Sequence, residues 1–422
     1  MKISAKYCIG LIITGILVFS ACKRTKVPSK VLGDSRTVDE VFAGNLSLDN
    51  LYDYENLNTP KHIKQNINRH TVKNKAAMLG RVLFYDKKLS VSNTVSCGSC
   101  HKQENAFGLA EKGAEGVNSK TNVQSMRLIN LRYSATSQFF WDSRISNITE
   151  AVTSPIFNHG EMGYSGIHGG ANANDLVKKL GYAGYMQELF KYTYGTPEVT
   201  LARMQDALAS FVFSLESFDS KYDKERAKIN STQKSANTQN YAGLTAQENS
   251  GKDLFFSQGV FNPAGKRVGG GVACVDCHFD GEVAFMNEQK NPTKPSRYSG
   301  VFNNSTPLTG NNGITTRIDG SNSSSVSKRS PSLRDLVSQS GVPNTVFFSN
   351  ASAKTLDDVI EHYKDVKDVK PSFTMDERLV HNKFTKDYDI TDAEKESLVA
   401  FLKTMSGSNI YTNVKWSDPF VK

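Results

Sequence analysis

Two short runs in this chain carry the residue types for metal chemistry: Cys97-Gly98-Ser99-Cys100-His101 and Cys274-Val275-Asp276-Cys277-His278. Two thiols three residues apart lie on one turn of chain, so each can add to a vinyl group of the same haem. The histidine that follows then turns its imidazole to the iron as proximal ligand. At this composition chance supplies one such run in about one chain of six hundred, so a pair is not accidental. The pattern predicts two covalently bound c-type haems, one on Cys97, Cys100 and His101, the other on Cys274, Cys277 and His278.

A structural zinc site is the competing chemistry, since two CxxC pairs can bind zinc tetrahedrally. Pairs that do so usually lie a few tens of residues apart. Here Cys100 and Cys274 are 174 positions apart, and zinc would leave His101 and His278 without a role.

Of the six cysteines, Cys8 and Cys22 remain. Lys2 and Lys6 lead into an apolar, small-residue stretch, Tyr7–Ala21, that closes on Ser20-Ala21-Cys22. This reads as an export signal, too short to span a bilayer as a stable helix. A cysteine directly after two small residues resembles a bacterial lipobox, with Phe19 where leucine is usual. We expect a lipid anchor at Cys22 and a place in the periplasm of the cell envelope. Plain cleavage, with Cys22 a spare thiol, is the alternative. With Cys22 lipidated, the mature chain keeps only its two CxxC pairs in an oxidising compartment.

The elements that must hold these motifs read as helix and loop. From Thr71 onward Ala76, Leu79, Val82 and Leu83 share one helical face, and Ser210–Phe218 reads as the end of a buried helix. Thr355-Leu356-Asp357-Asp358 starts a helix whose apolar face carries Leu356, Val359, Ile360 and Tyr363. Thr391-Asp392-Ala393-Glu394 is a capping box leading to Leu398, Phe401, Leu402 and Met405, with a stop at Gly407. Strand signals are few and short. The stretch 227–250 is rich in Asn, Ser, Thr and Gln, and 287–330 reads as long surface loops.

These signals divide the chain into a signal (1–21), a polar tether and N-terminal extension (22–60), a first haem domain (61–230), a linker (231–250) and a second haem domain (251–422). The expected fold class is mostly α: two cytochrome-c-like helical domains, one haem each, with long loops. A net charge of +9 over 422 residues is modest. No Lys/Arg block with interleaved aromatics marks a nucleic-acid surface. The excess reads as a solvated surface, or as a weak patch steering an acidic electron donor.

Taken in order, the motifs resemble a family. Leu79-Gly80-Arg81-Val82-Leu83-Phe84-Tyr85-Asp86-Lys87-Lys88-Leu89-Ser90 is similar to the segment before the first haem of bacterial di-haem cytochrome c peroxidases and their relative MauG. Then follow Cys97–His101, Ala106-Phe107, Phe140-Trp141-Asp142-Ser143-Arg144, Pro155-Ile156 and Glu161-Met162. Cys274–His278, Arg329-Ser330-Pro331-Ser332-Leu333-Arg334 and Thr355–Tyr363 complete the set, which covers roughly residues 75–408.

The resemblance implies that the haem on His101 is the peroxide site and that Glu161 is its distal acid–base, with Pro155 six residues before it. A carboxylate in a partly apolar pocket can take a proton from one peroxide oxygen and return it to the other. Read alone, Glu161 would be an exposed loop acid. Trp141, twenty residues before Glu161, falls on the family's inter-haem tryptophan, against the plainer reading of a packed core indole. Asp142 and Arg144 resemble a buried salt bridge or a haem-propionate contact.

Three features depart from the best-known peroxidases. No histidine lies between Lys102 and Trp141, where a resting-state ligand of the first haem is usual; Gly116 falls near that place. The motif reads FWDSR rather than FWDGR, at Ser143. At the second haem Tyr363 falls where such peroxidases carry methionine and MauG carries tyrosine, so Tyr363 is either a second-haem ligand or a packed aromatic. Members of the family often bind Ca2+ between the domains; no carboxylate cluster marks a site here, though backbone carbonyls suffice for one. The other histidines, His62, His70, His159, His168, His362 and His381, read as surface or core residues, His159 being near Glu161 in sequence.

The implied partners are hydrogen peroxide and a small electron-donor protein such as a mono-haem cytochrome c, with a homodimer allowed. Oxidation of a partner protein through high-valent haem, as in MauG, is the second reading. A plain electron-transfer cytochrome is the third, and it has no use for Glu161.

Overall fold

A helix pair organises each of two apolar clusters. The computed structural model describes residues 34–56, 59–60, 62–63, 70–133, 139–142, 144–229, 237, 239–276, 278, 331–364 and 389–420. The signal, Cys22, Ser143, Cys277, His381 and the stretch 287–330 lie outside them.

In the first cluster the helix Asn74–Tyr85 crosses the helix Leu201–Ser214. The expected face of Ala76, Leu79, Val82 and Leu83 is buried, and so is every other residue from Ala76 through Phe84, so the helix is enclosed on all sides. The crossing is tight because Gly80 has no side chain: a Cβ there would strike the Ala207 carbonyl. Thr200 caps the second helix by accepting from the Arg203 N–H. That helix ends at Ser214, short of Phe218. Asn130 captures the chain beyond: its N–H donates to Leu215 O at 2.8 Å, and its carboxamide pairs with Ser217 N and O at 2.9 and 3.1 Å.

The second cluster repeats the device. The helix Ala246–Phe256 packs on the helix Asp392–Lys403, and Gly251 meets the Ser397 carbonyl where a Cβ would collide. Both helices start at capping boxes, Thr245 with Glu248 and Thr391 with Glu394. The first takes up 246–250, the end of the stretch that reads as a linker. The second closes at Lys403 with Thr404 as its cap, before Gly407. The helix Leu356–Lys364 begins with a reciprocal pair, Asp358 N to Thr355 Oγ1 at 3.0 Å and Thr355 N to Asp358 Oδ2 at 2.9 Å. Among the described residues the one sheet is a hairpin of Gly259–Phe261 with Arg267–Gly270, so the fold is mostly helical.

Two further features join distant parts of the chain. Arg334 donates to both oxygens of Asp223, at 2.6 and 2.8 Å, with both side chains fully buried. Burial opposes ionisation of Asp223, yet the Arg334 charge, with His62 and Ser220, holds its carboxyl well below the usual range. The C-terminal segment runs back over the first cluster and buries Ile410 and Trp416 there. Its carbonyls are taken one after another by side chains of the first half. Gln103 donates to Ile410 O and Asn413 O, Tyr54 to Lys415 O, Tyr85 to Trp416 O and Arg81 to Ser417 O, all at 2.6–3.1 Å.

Candidate functional site

The first site is built on the turn Cys97–Cys100. Ser96 caps it and its own N–H donates to Ser99 Oγ at 3.0 Å, so a variable position of the motif itself shapes the turn. The Tyr85 ring packs directly beneath Gly98, leaving no room for a side chain there. His101 N–H donates to Cys97 O at 2.9 Å, which sets the imidazole on the next turn.

The imidazole is oriented by its own loop. Its Nδ1 lies 3.0 Å from Phe107 O. A carbonyl only accepts, so Nδ1 is the donor and Nε2 keeps the lone pair. Phe107 reaches this position with a left-handed backbone, φ 58°, unusual for a bulky residue. Burial lowers the pKa of His101 and so favours the neutral ring. Burial likewise pushes the Cys97 and Cys100 thiols up, to about 12 and about 11.

These groups face a cavity of about 270 Å³, whose walls include Trp141, Pro155, Glu161, Met162 and Leu208. Glu161 is partly buried; burial raises its carboxyl above the ordinary range, and the Arg144 charge works against that rise. Asn158 Oδ1 holds the turn by accepting from Gly160 N and Glu161 N at 2.9 and 3.2 Å. The loop 116–119 then clamps it. Val117 N donates to Glu161 O at 2.9 Å and Asn118 N to Gly160 O at 3.1 Å. Gly116 sits so close that a Cβ would strike Gly160 O, with Ser119 O at 2.7 Å and Glu161 Cα at 2.9 Å. Gly116 itself therefore admits no side chain.

Trp141 is buried on the same wall, its Nε1–H donating to Gln124 O at 2.8 Å. Arg144 reaches both oxygens of Asp142 at 2.9 Å and lies 4.1 Å over the Phe140 ring. That pair is not buried as expected: the Arg144 side chain is 50% exposed, because the short turn carries it to the cavity rim. His159 is exposed and turned to Ser165, and does not line the cavity.

The second site repeats the first where it is described. Cys274 opens a single turn, His278 N–H donates to Cys274 O at 2.9 Å, and His278 Nδ1 donates to a carbonyl, that of Pro331, at 3.2 Å. The Tyr363 hydroxyl stands 3.3 Å from His278 Nε2. His362 beside it is buried, its ring 4.8 Å from that of Phe348.

The donor set fits a haem. Each histidine has Nδ1 on a main-chain carbonyl, the tautomer in which Nε2 carries the lone pair that a metal needs. At the first site the two thiols border an apolar-walled cavity. Among the described residues, which exclude Cys277, no three His, Cys, Asp or Glu side chains converge on a point that could hold a metal ion. Sequence reasoning missed Gln124 and the two carbonyls on Nδ1. Phe107 and Pro331 lay inside recognisable motifs; Gln124 did not.

Residues 74–230 match the family model described as di-haem cytochrome c peroxidase. The chain is 27% identical over 341 residues to cytochrome c551 peroxidase of Nitrosomonas europaea, covering 78% of this chain and 80% of that one. It is 23% identical over 333 residues to the methylamine utilization protein MauG of Methylophilus methylotrophus, covering 78% and 82%. Among solved structures it resembles a MauG-like protein associated with microbial copper homeostasis. The TM-score is 0.58 and the identity 23%, over 86% of this chain and 99% of that one. The diheme peroxidase BthA from Burkholderia thailandensis E264 gives 0.52 and 20%, over 81% and 88%. At these identities the two structures speak for the fold alone.

Proposed function

For a chain that belongs to the di-haem cytochrome c peroxidase and MauG family of oxidoreductases, we propose reduction of hydrogen peroxide to water with electrons from a small donor protein. The observation that carries this reading is Glu161, a half-buried carboxyl on the wall of the cavity that Cys97, Cys100 and His101 enter.

A haem attached through Cys97 and Cys100 and held by His101 would supply the redox iron at which peroxide is reduced. The protein's own groups do the rest. Glu161 takes the proton from one peroxide oxygen and returns it to the other, so that the departing oxygen leaves as water rather than hydroxide. Its raised carboxyl suits both halves of that exchange. The clamp at Gly116 fixes the carboxylate's position and keeps that side of the cavity clear of an imidazole. Trp141 offers a buried indole on the same wall as a relay for electrons from the second site.

At that second site Cys274, Cys277 and His278 would hold the other haem, and Tyr363 would be a further ligand to it. A tyrosinate ligand stabilises ferric iron and lowers the potential. This feature favours a second reading, MauG-like oxidation of a partner protein. The signal-like start and Cys22 would place either reaction in the periplasm, tethered to a membrane.

The test is steady-state peroxide reduction by the purified, fully oxidised holoprotein with a reduced mono-haem cytochrome c. Rapid turnover without prior reduction supports the peroxidase reading. Little turnover, with a long-lived oxidised spectrum after peroxide, would replace it by partner oxidation. No spectral response would leave electron transfer.

A further inference from the structure

Gln124 makes four hydrogen bonds, and they run in two directions. Its carbonyl accepts from Trp141 Nε1 at 2.8 Å, while its own N–H donates to Ser349 O at 2.9 Å. Its side-chain amide donates to Leu109 O at 3.2 Å and to Thr345 Oγ1 at 2.6 Å. Thr345 closes a triangle by donating to Leu109 O at 2.7 Å. Gln124 is 4% exposed and Thr345 5%.

We propose that Gln124 is a positioning residue that joins Trp141 to the 345–349 segment and so to the second site. The proposal rests on the reading that Trp141 relays electrons. Ser349 follows Phe348, whose ring lies on His362, and His362 precedes Tyr363, whose hydroxyl faces His278. Between the Trp141 indole and the Ser349 carbonyl lie two hydrogen bonds and the C=O, C–Cα and Cα–N bonds of one residue. Tunnelling decays far less through bonds than across a van der Waals gap, so this single residue offers a bonded route.

The chemistry at the indole also matters. A main-chain carbonyl is too weak a base to remove the Nε1 proton. Trp141 therefore gives up and regains one electron at a time while keeping its N–H, and the relay needs no proton partner. Two electrons from a one-electron donor protein enter at the second site. With two protons they convert one hydrogen peroxide to two water molecules at the first.

The side-chain amide is what holds the route in place. Its two N–H donors meet two acceptors in a buried pocket. Leucine has the size and no donor, and asparagine is one methylene too short to reach both Leu109 O and Thr345 Oγ1.

The experiment uses the holoprotein with its second site reduced, mixed rapidly with hydrogen peroxide. It follows oxidation of the second haem separately from peroxide binding at the first. Gln124→Leu should slow electron passage at least roughly tenfold while peroxide binding and the second-haem spectrum stay unchanged. The Trp141 indole N–H band in ultraviolet resonance Raman should shift with it. Thr345→Val, a milder change, should shift both in the same direction and serves if Gln124→Leu does not accumulate. Passage at the unmutated rate in both variants overturns the role of Gln124. Trp141→Phe separates the two ideas. If it alone leaves passage unchanged, the relay reading fails; if it slows passage while Gln124→Leu does not, the connector alone fails.

Discussion

The Tyr363 hydroxyl stands 3.3 Å from His278 Nε2, while Nδ1 of the same ring donates to Pro331 O at 3.2 Å. At that distance the phenol and the imidazole meet as hydrogen-bonding partners, which brings the Tyr363 hydroxyl to the ring that would hold the second haem. Tyr363→Phe should abolish any tyrosinate-to-iron charge-transfer band of the second haem and raise its potential. Tyr363→Met should raise it further. An unchanged spectrum in Tyr363→Phe means the ring only packs.

Glu161→Gln should lower peroxide reduction by about 10²- to 10⁴-fold while leaving both haem spectra in place. The pH dependence has a defined sign. Glu161 must be a carboxylate to accept the first proton, so activity falls as pH drops through its pKa. Burial raises that pKa, so the acidic limb should lie above the ordinary carboxylate range. Arg144 opposes the rise, and Arg144→Leu should move the limb further up. A limb that does not move removes Arg144 from the electrostatics of the site.

Gly116→Ala tests the clamp. The added methyl meets Gly160 O and Glu161 Cα, both main chain, so the Glu161 turn must yield. Activity should fall by about 10²-fold, with binding of cyanide to the first haem retained. Full activity would show that the carboxylate tolerates displacement.

The buried pair of Arg334 and Asp223 should behave as a structural lock. Arg334→Leu leaves a buried carboxylate unpaired and should cost about 3–5 kcal/mol, read as a lowered denaturation midpoint. The Asp223 pKa is depressed in the folded state, so its contribution is present above the ordinary carboxylate range and is lost as pH falls below it. Asp223→Asn should therefore flatten the acid limb of the stability curve.

What the sequence made legible was local. The CxxCH runs and the Thr391–Glu394 box are complete within five residues, and the structure shows Cys97–Cys100 and Cys274–Asp276 as turns and Thr391 as a cap. The face carrying Tyr363 was readable as helical spacing, but not what the hydroxyl meets, because His278 lies 85 positions away. The helix through Ser210 ends early because Asn130, 87 positions from Ser217, competes for its backbone. Gln124 gave no signal at all. Its decisive partner Thr345 is 221 positions off, and glutamine in a loop is ordinarily a surface residue. The Phe107 carbonyl depends on a backbone angle that phenylalanine seldom adopts.

The C-terminal segment laid across the first half has a consequence for biosynthesis. Gln103 stands two residues after His101, and its carbonyl partner Asn413 is made 310 positions later. Tyr85, under Gly98, waits for Trp416 in the same way. Until residues 410–417 are made, the wall behind the first CxxCH turn is therefore unfinished, while the contacts that shape the turn itself lie within its own five residues and their immediate neighbours. The order of synthesis thus sets the order in which that wall closes.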